Sequence, residues 1–240
     1  MPAKLDAFID RLGLRSPLSQ EERAALAALD PPVSERRARW DLVRPGERVD
    51  YACLVIAGVV GRAEQFADGR RQTTAVHVPG DMADLHSVPV PRAAWAITAL
   101  TDCTICEVPH GQLRELATRY PAIGAAFWRD TVADASVYSK WISVLSRHDA
   151  RGRMAHLLCE LGPRMEAAGL GRADDFELRL TQDQLSEVLG VTPVHVYRTF
   201  RALRDAGVIA TERRSIRVLD RPALERIAEF DPAYLLLGRD

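Results

Sequence analysis

Between residues 194 and 201, side chains recur at a spacing that suits them to the edge of a base pair. Unrolled as a helix at about 100° per residue, Val194, Tyr197, Arg198 and Arg201 fall on one side. Val196, Phe200 and Leu203 fall on the other, the core side, and His195 lies on the flank. Arginine can bond guanine O6 and N7 together, and valine can touch a thymine methyl. Thr192 is a good N-cap and Pro193 a good first helical residue. The threonine hydroxyl and the free amides at that helix start could hold a phosphate.

A second helix must sit in front of this one. Thr181 with Gln184 makes a capping box, and Leu185, Val188 and Leu189 supply a core face. Gly190 provides a tight turn, so the order is helix, short glycine turn, helix. Gly207 to Leu219 then alternates as a two-stranded wing with Glu212-Arg213-Arg214-Ser215 at its turn. From Arg198 to Arg217 there are six arginines against Asp205 and Glu212, a local charge of +4 in a chain of net charge −1. The alternative, a solvated helical hairpin with arginines for solubility, does not explain why motif order, caps, outward arginines and basic wing coincide. The expected duplex-facing set is Thr181, Thr192, Pro193, Val194, His195, Tyr197, Arg198, Arg201, Arg213 and Arg214.

The remaining elements have to hold that unit. The chain has 240 residues, 47% of them hydrophobic and 27% charged, which suits packed cores and excludes a mostly disordered protein. This length suggests one or two domains. Residues 1 to about 30 read as helix, with Leu5, Phe8, Ile9 and Leu12 at helical spacing and a second start at Ser19 and Glu22. From 40 to 110, short apolar runs are broken by turn signals such as Pro79-Gly80-Asp81, and Asp68-Gly69 reads as a hairpin turn. From Tyr120 to about Arg147 the pattern is one long helix. Ala125, Trp128, Val132, Ala135, Ser139, Ile142 and Ser146 follow a heptad seam along it. Trp128, Val132, Ala135, Ser139 and Ile142 are therefore the expected homodimer interface, the alternative being an ordinary amphipathic helix of one core. Residues 150 to 168 form another helix, and 168 to 175 a loop.

Several classes of function find no support. The longest apolar run, around 52 to 61, is roughly half of what a membrane span needs, and the first ten residues lack the apolar core of a secretory signal. A reducing, cytoplasmic setting suits four cysteines in 240 residues. Cys103 and Cys106 form a CxxC, but a strand would point them to opposite sides. No G-x-S-x-G, phosphate-cradling glycine loop or H-E-x-x-H appears, so catalysis is not expected.

From about Val33 to Leu219 the sequence resembles the Crp–Fnr family of bacterial transcription regulators. LTQDQLSEVLGVTPVHVYRTFRALRDAGVI resembles the family helix-turn-helix. RPGE, LVIAGVVG, DGR and PGD resemble its cyclic-nucleotide-binding β-roll, and DARGRMA resembles the hinge after its dimer helix. The resemblance implies an α+β fold: an N-terminal antiparallel β-roll of jelly-roll type, a long dimerisation helix and a C-terminal winged helix-turn-helix. Those domains would occupy 1–119, 120–148 and 149–240. It further implies a homodimer, double-stranded DNA carrying a palindromic operator, and an effector site formed by the β-roll and the long helix. The loop at 168–175 lies where activating members touch RNA polymerase.

The effector-site positions depart from the cyclic-AMP-binding pattern. Asp84-Leu85 stands where those members carry Gly-Glu, and Ala93 follows Arg92 where a serine is usual. Ser139 matches an adenine-contacting position, but Tyr138 replaces its threonine neighbour. Losing a ribose acceptor and a phosphate donor would leave ligand groups unpaired at about 1–3 kcal/mol each, so tight cyclic-AMP binding is not expected. GDMADLHS also resembles the haem-binding segment of the family's carbon-monoxide sensors, with His86 at their histidine position and Pro2 at the N-terminus, but Asp84 replaces the cysteine. A hydrogen-bonded structural histidine weighs against haem there. A haem or redox sensor using His86, and a ligand-binding module with weak DNA affinity, are the alternatives. In the reading helix Arg198 matches the family's base-contacting arginine, whereas Val194 stands for a glutamate and Pro193 for an arginine, so the operator should differ from the Crp and Fnr half-sites.

Overall fold

A computed structural model describes residues 4–237. They divide into two compact units, one drawn from residues up to 64 and 75–135, the other from 65–74 and 136–235. The division falls inside the longest helix.

In the first unit, apolar residues at helical spacing build α1 (Asp6–Arg15), which buries Phe8, Ile9 and Leu12. Ser19 and Glu22 close the capping box that starts α2 (Gln20–Ala27). Seven strands follow: β1 (Val33–Arg36), β2 (Asp41–Val43), β3 (Tyr51–Ala57), β4 (Val60–Gln65), β5 (Arg71–His77), β6 (Ala96–Ala99) and β7 (Cys103–Pro109). They form two sheets, ordered β1-β7-β3 and β2-β6-β4-β5. The Asp68-Gly69 turn joins β4 to β5 as expected, with Gly69 at φ 82°. Gly58 turns the chain between β3 and β4 at φ 84°, where a Cβ would stand 2.4 Å from the Asp102 carbonyl oxygen.

Strand alternation splits the interior in two. Cys103 and Ile105 of β7 join Val43, Val55 and Ile97 inside the roll. Cys106 and Val108 face the other way, against Phe8, Leu12 and Leu54. The CxxC pair is therefore divided between two cores, and burial raises both thiols to about 11. Two elements here went unanticipated: β1, which pairs with β7 ahead of the expected strand region, and α3 (His110–Arg119), whose buried face offers only His110 and Leu113.

The long helix α4 (Pro121–Arg147) runs without interruption. Its first half buries Ile123, Ala126, Phe127 and Ala133. Asp130, also buried, takes Arg11 at 2.9 Å and Arg15 at 2.6 Å, and Arg11 reaches Asp81 at 3.1 Å. This ion cluster pins α1 onto α4 in the first unit.

In the second unit, Asp149 caps α5 (Ala150–Ala167) by accepting from the Gly152 amide at 2.8 Å. Then come β8 (Gly171–Arg172), β9 (Asp175–Glu177), α6 (Gln182–Leu189), α7 (Pro193–Asp205), β10 (Ile209–Glu212), β11 (Ser215–Val218) and α8 (Arg221–Ala228). The wing is not the expected two-stranded ribbon. β9 pairs with β11 (Ile216 opposite Phe176) and β8 extends the sheet to four strands, in order β10-β11-β9-β8. The segment 168–175, expected as a loop, is thus partly hairpin. Two-residue strands flanked by glycine show no alternation to read.

Candidate nucleic-acid interface

Each joint of the helix-turn-helix has a local cause. The Thr181 hydroxyl accepts from the Gln184 amide at 3.3 Å, and the Gln184 side-chain oxygen accepts from the Thr181 amide at 2.8 Å. α6 then buries Leu185, Val188 and Leu189. Gly190 ends it in the left-handed region at φ 63°, which favours glycine. Thr192 accepts from the His195 amide at 3.4 Å, its hydroxyl lies 3.0 Å from His195 Nδ1, and Pro193 fills the first turn of α7.

The 13 residues of α7 make a rod about 20 Å long. Its inward stripe is Val196, Thr199 and Leu203, all buried. Phe200, expected on that stripe, is only half-buried, because the wing sheet offers it a seat in a cleft beside α7. That cleft, about 240 Å³, is floored by Leu178, Leu185 and Ile216 and rimmed by Tyr197, Arg213 and Arg214. Val194, His195, Tyr197, Arg198 and Arg201 all face solvent, and Tyr197 keeps 51% of its surface exposed despite touching the cleft.

The basic patch is less uniform than its sequence suggests. Arg201 lies 3.5 Å from Asp205, Arg217 lies 3.5 Å from Asp175, and Arg204 donates to the Thr211 hydroxyl at 3.1 Å. The Arg198, Arg213 and Arg214 guanidiniums have no hydrogen-bond or ion-pair partner among the described residues. Arg213 sits at the wing turn with φ 53°. The cations free to meet a phosphate or a guanine are therefore one on the helix and two on the wing tip.

Two positioning groups escaped the sequence reading. Arg153 of α5 donates to the carbonyl oxygens of Leu145 at 2.7 Å, His148 at 2.9 Å and Leu189 at 2.9 Å. It thereby ties the ends of α4 and α6 together behind the reading helix. Its only sequence signal is its place in DARGRMA. Glu160, fully buried, accepts from Trp141 Nε1 at 2.9 Å, the Tyr234 hydroxyl at 2.9 Å and Arg164 at 2.9 Å. Burial raises its carboxyl above the ordinary glutamate value despite those donors. His156 packs between Trp141, Phe230 and Tyr234, and burial lowers it to about 4.

The β-roll residues expected at an effector site are differently engaged. Asp84 is buried, and its Oδ1 accepts from the Cys53 amide at 2.6 Å. Burial pushes it up to about 6. Leu85 is buried in the core shared with α1. The His86 ring lies 5.1 Å from the Trp95 ring and its Nδ1 lies 3.4 Å from Arg62, whose guanidinium stacks 4.5 Å over Trp95. Burial, then the Arg62 charge, lowers His86 to about 4. Arg92 is exposed and donates to the Gly46 carbonyl at 3.0 Å, and Ala93 carries no donor. The Asp84 carboxylate is thus turned onto a backbone amide, and Arg92 is turned to solvent. On α4, Tyr138 is half-buried and Ser139 exposed. Pro2 lies outside the described residues, among which no three His, Cys, Asp or Glu side chains cluster as metal ligands would.

Along α4 the seam residues separate cleanly from the core face. Trp128, Val132 and Ile142 are 77%, 51% and 71% exposed, and Ala135 and Ser139 are exposed beside them. No helix among the described residues is long and apolar enough to cross a membrane.

A capped helix-turn-helix with a basic wing, together with an antiparallel β-roll, defines a DNA-binding protein of the cyclic-nucleotide-binding-domain type. Residues 38–120 match the cyclic nucleotide-binding domain family and 152–227 the Crp-like helix-turn-helix domain. The chain belongs to the Crp–Fnr family of transcription regulators. It is 28% identical over 188 residues to the transcriptional activator protein FnrL of Cereibacter sphaeroides, covering 77% of this chain and 75% of that one. It is 24% identical over 216 residues to the nitrogen fixation regulation protein FixK of Azorhizobium caulinodans, covering 90% and 86%. Among solved structures, FixK2 from Bradyrhizobium japonicum aligns with a TM-score of 0.75 at 25% identity, covering 83% of this chain and 98% of that one. A CooA mutant from Carboxydothermus hydrogenoformans shares the fold, with a TM-score of 0.65 at 18% identity over 95% and 97% of the two chains.

Proposed function

We propose that this regulator acts in the cytoplasm as a homodimer on a palindromic operator, with α7 of each copy in the major groove. The observation that carries this reading is Arg198, exposed on α7 without a partner of its own. It would take guanine O6 and N7 in each half-site, while Val194 and Tyr197 touch neighbouring bases. Thr181, Thr192, Pro193 and His195 at the helix starts, Arg201 on α7, and Arg213 and Arg214 on the wing would meet phosphates and fix the register. The α4 seam of Trp128, Val132, Ala135, Ser139 and Ile142 would pair with its copy, since a single chain leaves its large apolar side chains in water. A β-roll domain (1–119), dimer helix (120–148) and winged helix (149–240) would then share the work. An effector, or dimerisation alone, would favour the arrangement that holds the two reading helices about 34 Å apart, one DNA turn.

The effector would not be cyclic AMP, because Asp84 and Arg92 are committed elsewhere. Haem on His86 is the less favoured reading, since the ring is wedged between Arg62 and Trp95. Contact of the 168–175 segment with RNA polymerase would follow if the protein activates. Fluorescence anisotropy tests the central reading. Arg198→Ala should lose about tenfold or more on the operator and little on random DNA, whereas equal losses on both would overturn it. Micromolar cyclic AMP affinity by calorimetry would overturn the effector reading.

A further inference from the structure

The inward stripe of α7 is left unfinished. Val196, Thr199 and Leu203 are buried, but Phe200, on the same side, stays half-exposed in the cleft of about 240 Å³ beside the wing. Leu178, Leu180, Leu185 and Ile216, all buried, form the floor of that cleft. Water finds few hydrogen-bond partners over such a floor, so an apolar occupant is favoured there.

The walls are fixed and the rim is cationic. The Leu178 amide donates to the Arg214 carbonyl oxygen at 2.8 Å, which ties the floor to the wing tip. Arg204 on α7 donates to the Thr211 hydroxyl on β10 at 3.1 Å, which bridges helix and wing. Arg204, Arg213, Arg214 and Tyr197 line the opening, and no acidic side chain does. Glu212 is absent from the lining although Thr211 and Arg213 on either side belong to it, as strand alternation requires. The acidic groups of neighbouring elements are engaged elsewhere: Glu177 by Arg179, Asp205 by Arg201 and Asp175 by Arg217. Arg213 keeps φ 53°, so the wing turn holds a cation at a backbone position that glycine would adopt more easily.

We propose that this cleft is a binding site for a small apolar carboxylate, with its hydrocarbon body on Phe200, Leu178 and Ile216 and its acid group on Arg213 and Arg214. A guanidinium takes a carboxylate through two parallel hydrogen bonds. The volume lies below the ~300–1,000 Å³ of drug-sized pockets, so the occupant carries one compact ring system or a short chain and a single acid group. Occupancy takes both wing-tip cations from the duplex and covers Tyr197, so ligand and operator exclude one another. That exclusion rests on the operator reading; the binding itself does not.

Calorimetry with 2-naphthoate and the full-length protein reads the binding, with neutral 2-naphthamide as the control. Naphthoate should saturate at one per chain, and the amide should bind about tenfold or more weakly. Arg213→Gln combined with Arg214→Gln should lose about tenfold for naphthoate and nothing for the amide, while melting with the parent, since both side chains are exposed. Thr211→Trp should fill the cleft and weaken both probes. No saturable binding, equal binding of the two probes, or an unchanged naphthoate affinity in the double variant overturns the site. Fluorescence anisotropy then reads the operator: saturating naphthoate should weaken operator binding about tenfold or more, and the amide should not. Naphthoate that binds while operator affinity stays unchanged overturns the exclusion. A protein that binds naphthoate, but no operator in its absence, refutes the operator reading and leaves the site standing.

Discussion

Arg153→Met tests the joint behind the reading helix. The guanidinium makes three hydrogen bonds of 2.7–2.9 Å, to carbonyls of Leu145, His148 and Leu189. A hydrogen bond from a charged donor contributes about 1.5–3 kcal/mol. The simple sum overstates the loss, because Arg153 is half-buried and water can replace it at the α4 carbonyls. Methionine also keeps most of the apolar stem. A cost of about 2–4 kcal/mol remains, a fall in melting temperature of roughly 5–15 °C for a chain of this size. Arg153→Lys keeps the charge but not the planar fork, and should recover less than half of the loss. Urea unfolding followed by circular dichroism reads both variants, and operator affinity should fall with stability as α6 loosens from the end of α4. A loss below about 0.5 kcal/mol for Arg153→Met, or full recovery by lysine, would refute the reasoning.

Other outcomes follow from single groups. Thr181→Ala removes the cap and half of the capping box, and should cost about 1 kcal/mol in denaturant unfolding, with Thr181→Ser close to neutral. Arg213→Ala should weaken operator and random DNA alike and reduce the salt slope by about 0.9 in a titration of affinity against salt. Ile142→Asp places a charge on the exposed α4 seam, and sedimentation should show a shift from dimer to monomer with the fold retained. The pH dependence has two opposed parts. Asp84, raised to about 6, favours folding while protonated, so its contribution fades as pH rises from about 4 to 6. His86 and His156, lowered to about 4, favour folding while neutral, so theirs fades as pH falls from about 6.5 to 4. Glu160 and Asp134, also raised by burial, act in the same sense as Asp84. Asp84→Asn removes its own contribution alone, and stability measured by urea unfolding should then rise more steeply between pH 4 and 6 than in the parent.

Local chemistry made the reading unit legible. Thr181, Gln184, Gly190, Thr192 and Pro193 act through neighbours within a turn, so their roles follow from spacing alone. The exposure of Trp128, Val132 and Ile142 along one face of α4 follows from heptad spacing in the same way. Groups that act across long separations were hidden. Arg153 reaches Leu189, and Glu160 meets Tyr234, contacts that no local pattern announces. Phe200 is only half-buried because it lines the cleft beside the wing sheet, and the wing itself was undercounted because β8 and β9 are too short to alternate. The departures at Asp84 and Ala93 stand in the sequence itself, but the partners of Asp84 and Arg92, the Cys53 amide and the Gly46 carbonyl, depend on strand packing that the sequence does not display.

The most direct test of DNA reading by α7 is methylation interference on operator fragments bound by the parent protein and by Arg198→Ala. Methylating guanine N7 at one position in each half-site should block the parent while leaving the variant, already weakened, indifferent at that position. Interference at the same guanines with equal strength for both proteins would mean that Arg198 does not touch the base, and would contradict the account.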